Sequence, residues 1–121
     1  MDETYFQALD FSQSKTRNGI DVAMDKGPGG KKLDALLVPP DVGQTYQVAA
    51  QAGYPMITVP AGANEKDGMP FGLALMQTAW REDLLIKWAS AIEDLQLSSG
   101  TPYKRTLPKW NNYKDRNIPV V

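Results

Sequence analysis

The chain has no cysteine and no histidine. The first absence excludes a disulfide frame, a thiolate nucleophile and a sulfur-ligated metal; the second removes the commonest metal ligand and the usual general base near neutral pH. No metal and no other cofactor is expected, and any catalytic group would have to be Ser, Thr, Tyr, Lys, Asp or Glu. A surplus of one charge is missing too. Thirteen Lys and Arg stand against fourteen Asp and Glu, a net charge of −1, so the whole chain lacks the basic excess of a nucleic-acid binder. No apolar run approaches the ~18 residues of a membrane span, and the opening MDETYFQALD is acidic and has no apolar leader core. A cytoplasmic location and no membrane partner are the expectations. With 121 residues, 42% of them hydrophobic, there is material for one small core.

That core should form around VAAQAGYPMITVPAGANEKDGMPFGLALM, residues 48–76. Gly53 suits a left-handed helix cap, and Pro55 pushes Tyr54 to extended backbone, so a strand begins at Met56. Pro60 cannot donate to a sheet ladder and is expected to end that strand at Val59. Gly62 and Pro70 then belong to a loop over residues 61–70, before a second apolar strand, residues 71–76, that contains Gly72.

Upstream, residues 2–17 read as a helix with acids first and bases last, matching the helix dipole. Its apolar face, Tyr5, Phe6 and Leu9, is thin, and Asn18 and Gly19 should end it before a short turn at residues 20–24. GPGGKK, residues 27–32, lacks the Ser or Thr and the strand-to-helix setting of a phosphate-binding loop and reads as a linker. Ala35, Leu36, Leu37 and Val38 are apolar without alternation, as in a central strand covered on both faces. The 17 residues between Val38 and Met56 allow a crossover with a short helix at residues 46–52 capped by Thr45. These two strands should then be parallel, with the 71–76 strand an antiparallel neighbour. The fold class expected is α/β: a small mixed sheet with flanking helices. Residues 81–95 form the clearest helix, with Leu84, Leu85, Trp88, Ile92 and Leu95 on one stripe and Trp88 at the middle of the core face.

Composition changes near Gly100. Residues 101–121 carry five bases and one acid, leaving thirteen acids and eight bases before them. The expected organisation is an α/β domain over residues 1–100 and a basic, Pro-containing strap over residues 101–121. The alternative, an RNA-binding arm using Tyr103, Trp110 and Tyr113 among cations, is the weaker reading because the prolines and the acidic body favour a strap.

AAQAGYPMITVPAG followed by MPFGLALMQTAWREDLLIKWASAIE resembles the C-terminal part of the amidase signature family, serine hydrolases that cleave carboxamides. The resemblance extends back through LDALLVP, residues 33–39, and more weakly to residues 5–24. It implies the C-terminal portion of an amidase-type fold, with Gly53, Tyr54, Pro55, Pro60, Gly62, Pro70 and Gly72 as its structural motif. Members of that family use two serines, one on a cis peptide, and a lysine, carried by a glycine- and serine-rich signature that this chain does not contain. Catalytic residues are therefore expected to be none, and the chain should be inactive alone. Its expected contribution is sheet scaffold and substrate-pocket wall, with the missing N-terminal half or another chain docking on an exposed apolar sheet face. An amide small molecule is the ligand this implies. The alternative is a non-catalytic binding or interaction module derived from an amidase remnant.

In open sheets, ligands sit beyond the carboxyl ends of parallel strands, here residues 39–46 and 60–63. Asp41, Gln44, Thr45 and Tyr46 are the candidate pocket-wall residues. In proteins resembling the glutamine-hydrolysing amidotransferases, an acidic residue of this loop recognises the substrate amine. Gly43 stands at its position, and Asp41, two residues out of register, serves equally well to shape a proline turn. Ser98 and Ser99 read as a helix stop rather than as a nucleophile.

Overall fold

A computed structural model describes residues 2–40, 42–66 and 69–99. The strap expected over residues 101–121 and the candidate Asp41 lie outside the described residues. The element order is α1 (Glu3–Met24), a 3₁₀ turn (Pro28–Gly30), β1 (Leu36–Val38), α2 (Thr45–Ala52), β2 (Met56–Ala63), β3 (Pro70–Met76) and α3 (Glu82–Ser98). The α/β class holds, with the sheet flanked by helices.

The sheet order is β1-β3-β2, and both pairings are antiparallel. β1 and β2 do run the same way, as a crossover through α2 requires, but β3 lies between them. The sheet is therefore antiparallel in every pairing rather than mixed, and β1 is an edge strand rather than the central one. The centre belongs to β3, whose Ala74, Leu75 and Met76 are all buried. Met76 faces α1 and α2 together with Ile20, Met24, Ala49 and Ala52. Leu75 faces α3 together with Val59, Leu85 and Ala89. On β1, Leu37 is 60% exposed, because nothing among the described residues covers that side of the edge.

α1 is longer than its sequence suggests and passes through Asn18 and Gly19 without a break. A glycine inside a helix costs about 1 kcal/mol. Continuing the helix buries Ile20 and Met24, and each such burial stabilises by roughly 1.5 to 3 kcal/mol, so the docked turn wins. The Asp2 carboxylate caps the start, accepting from the Tyr5 amide at 3.0 Å. Tyr5, Phe6, Leu9 and Phe11 remain exposed, in keeping with a thin apolar face.

Gly53 is left-handed, φ 69°, and closes α2, after which β2 starts at Met56 as expected. The residue at the N-cap of α2 is Gln44; Thr45 is the first helical residue, its amide donating to Val42 O at 2.9 Å, and no side chain caps the helix. β2 does not stop at Val59. Pro60 sits opposite Gly72 on the outer strand, where a missing N–H is tolerated, and a bulge between Pro60 and Gly62 lets pairing continue to Ala63 opposite Pro70. A Cβ on Gly72 would lie 2.7 Å from Thr58 Cγ2 and 2.8 Å from Val59 O, so only glycine allows the two strands this approach.

The core face of α3 also differs from the expected stripe. Leu85 and Ala89 are buried and Ile92 packs beside them, whereas Trp88 is 38% exposed and Leu95 lies in solvent. The helix has rotated toward its small residue, which lets the backbone come close to β2 and β3.

Candidate functional site

The strand β1 ends in Pro39 and Pro40, and its chain turns into α2 beside α1. Between these three elements lies an open groove of about 640 Å³. Ile20 and Ala23 of α1, Leu36 and Val38 of β1 and Met76 of β3 make its apolar floor, and Val42 and Val48 extend it toward α2. Gln44, Thr45 and Gln51 from the α2 side and Lys15 and Thr16 from α1 supply the polar groups of the rim. The Thr16 hydroxyl donates to Ser12 O at 2.7 Å. The structure thus brings two of the candidate pocket-wall residues, Gln44 and Thr45, onto one groove. Tyr46 is half exposed and does not line it.

The described residues hold no assembled nucleophile and base. The Ser98 hydroxyl donates to Leu95 O at 3.2 Å and that of Ser99 to Gln96 O at 3.1 Å, the ordinary bonding of hydroxyls in a last helical turn. Every lysine among the described residues is exposed. An activated serine needs a base in hydrogen-bond reach, and a lysine acting as that base needs burial. Among the described residues no group of His, Cys, Asp and Glu could hold a metal ion, and no helix is long and apolar enough to cross a membrane.

Two polar clusters were not foreseen from sequence. In the first, Arg17 of α1 donates its Nε–H to Ala52 O at 2.7 Å, a cation on the carbonyl end of α2. One turn further along α1, the Asp21 carboxylate accepts from the Tyr54 hydroxyl at 3.0 Å. Partial burial, then the hydrogen bond to Asp21 and the charge of Asp21, raise the Tyr54 pKa above that of an ordinary phenol, and Arg17 opposes the rise. In the second, buried Gln77 donates to Asp34 O at 2.7 Å and accepts from the Thr78 amide at 2.6 Å, tying the approach to β1 to the end of β3. The Tyr54 position is marked in sequence only by its neighbours Gly53 and Pro55, and Gln77 only by following an apolar strand.

A small α/β unit with an apolar, polar-rimmed groove and no nucleophile–base pair among its described residues is the class that fold and site define. No family model matches the chain, and no solved structure matches it. Its curated homologues are amidases, so the kinship with the amidase signature family read from the sequence holds. It is 45% identical over 123 aligned residues to the "Putative amidase C869.01" of Schizosaccharomyces pombe, an alignment that covers 98% of this chain and 20% of that protein. It is 51% identical over 45 residues to a fatty acid amide hydrolase of Oryza sativa, covering 37% of this chain and 7% of the relative. It is 28% identical over 109 residues to a glutamyl-tRNA(Gln) amidotransferase polypeptide of Maricaulis maris, covering 74% of this chain and 22% of the relative. The chain spans about a fifth of the length of the first of these relatives.

Proposed function

We propose that this chain supplies scaffold and substrate-pocket wall to an amidase-type hydrolase, and that the serines and lysine of the reaction come from polypeptide outside it. The observation that carries the reading is the groove at the carboxyl end of β1, with Gln44 and Thr45 on its rim above an apolar floor. Such a surface suits the non-reacting part of a carboxamide: the floor accepts carbon, and the rim amide and hydroxyl offer hydrogen bonds that orient the head group. The alignment with an amidase over 98% of the chain supports the same reading. Alone, the chain offers a serine no base and leaves carboxamides intact.

The test is a chimera of the S. pombe relative in which the matching fifth is replaced by this whole chain. It is expected to hydrolyse a carboxamide series, and Thr45→Val together with Gln44→Ala to raise KM more than they lower kcat, as befits groups that bind ground and transition state alike. A folded chimera with no hydrolysis across the series, or an active one indifferent to both substitutions, contradicts the reading. Hydrolysis by the isolated chain would do so as well.

A further inference from the structure

Beyond the end of β3, at the opposite end of the sheet from the loop that follows β1, the chain holds a strained and unpacked tryptophan. Trp80 has φ 62° and is the one non-glycine in the left-handed region among the described residues. That region is unfavourable for a bulky L-residue, and such strain persists where the site serves something beyond local folding. Packing among the described residues does not offset it, because Trp80 is 89% exposed. Trp80 stands on the rim of a cleft of about 540 Å³ whose other walls are Arg17 of α1, the Gly53-Tyr54-Pro55 turn before β2, and Glu82 of α3. Arg17 is held there by its bond to Ala52 O, and Tyr54 by its bond to Asp21, so an aromatic rim faces side chains already fixed in place.

Tryptophan, tyrosine and arginine around a concave floor is the composition of interface hot spots. One cation and one carboxylate on the same cleft suit a polypeptide surface of mixed polarity better than a single ion. The relative that this chain matches over 98% of its length has four further fifths, so a chain of this type has a covering polypeptide available in at least one protein. We propose that Trp80 and its cleft anchor this chain to the remaining polypeptide of an amidase, the indole being buried on docking. This rests on the amidase reading above but concerns a different surface: the substrate groove lies by the C-terminal end of β1, the anchor beyond the C-terminal end of β3.

The experiment compares Trp80→Gly in the isolated chain and in the S. pombe chimera. Glycine accepts the left-handed backbone, so the isolated variant is expected to melt at the same temperature as the parent or up to about 5 °C higher. The chimera carrying the same substitution is expected to melt lower than its parent. Trp80→Asn, whose side chain tolerates this backbone but cannot fill an aromatic pocket, should repeat the pattern. Equal melting of chimera and variant chimera overturns the anchor, as does a loss in the isolated chain as large as in the chimera, which would assign Trp80 to its own fold. A parent chimera that does not fold overturns it as well. A chimera sensitive to Trp80 but unable to hydrolyse carboxamides supports the anchor and contradicts the pocket wall, while an active chimera indifferent to Trp80 does the reverse.

Discussion

Replacing Leu85 by alanine tests how α3 is seated. Leu85 is 2% exposed and packs with Val59, Leu75 and Ala89. Truncating a buried leucine costs about 2 to 5 kcal/mol, more where the walls cannot collapse into the space left. Here one wall is a hydrogen-bonded pair of strands, so the upper half, ~3 to 5 kcal/mol, is expected. Against a total stability of ~5 to 15 kcal/mol this is a large share. At ~4 to 8 °C per kcal/mol for a domain of this size it lowers Tm by roughly 12 to 40 °C. Trp88→Ala should cost less, about 1 to 2 kcal/mol, because the ring lies outside both buried clusters and its contact with Lys87 Nζ, 5.3 Å from the ring centroid, is a surface one. Thermal and urea unfolding of the two variants, with Leu85→Met as a volume-conserving control, checks the order. Trp88→Ala proving the more damaging of the two would refute this seating and restore the stripe through Leu84, Trp88 and Leu95.

Three further outcomes follow from the sheet and the polar clusters. Gly72→Ala forces β2 away from β3 and should cost about 1 to 3 kcal/mol, read as a lower urea midpoint. Gln77→Ala leaves the Asp34 carbonyl and the Thr78 amide without their side-chain partner and should destabilise by about 1 to 3 kcal/mol, with faster amide exchange at Thr78. Tyr54 has its pKa raised in the folded chain, so its hydrogen bond contributes fully below the unfolded phenol value of ~10, and that contribution is lost as pH rises through the folded value. Tyr54→Phe should therefore be less stable than the parent at pH 7 to 9, and the gap should close above about pH 10 in unfolding curves taken across that range.

The parts of the fold legible in the sequence were those fixed by local chemistry. Gly53 and Pro55 set the end of α2 and the start of β2 through their own backbone preferences. What could not be read was decided by partners distant along the chain. Ala35 to Val38 looked central because apolar runs mark strands covered twice, yet β3 takes the centre, and Leu37 keeps its exposed methyl groups toward a side nothing described covers. Gly19 looked like a stop because a local cost was visible and the burial of Ile20 and Met24 was not. Trp88 outranks Ala89 in hydrophobic weight, but close helix–sheet approach selects the smaller side chain. Of the candidate site, Gln44 and Thr45 followed from the rule that ligands gather beyond strand ends; Trp80 was invisible, since a left-handed tryptophan has no sequence signal.

The central claim, that this chain walls a pocket and holds no catalytic group of its own, is tested most directly by fluorophosphonate labelling of the isolated chain between pH 6 and 9, read by peptide mass spectrometry. The account predicts no labelled serine, because the hydroxyls of Ser14, Ser98 and Ser99 donate to helix carbonyls and every described lysine is exposed. Stoichiometric label at one serine, abolished by mutating that serine alone, would contradict it.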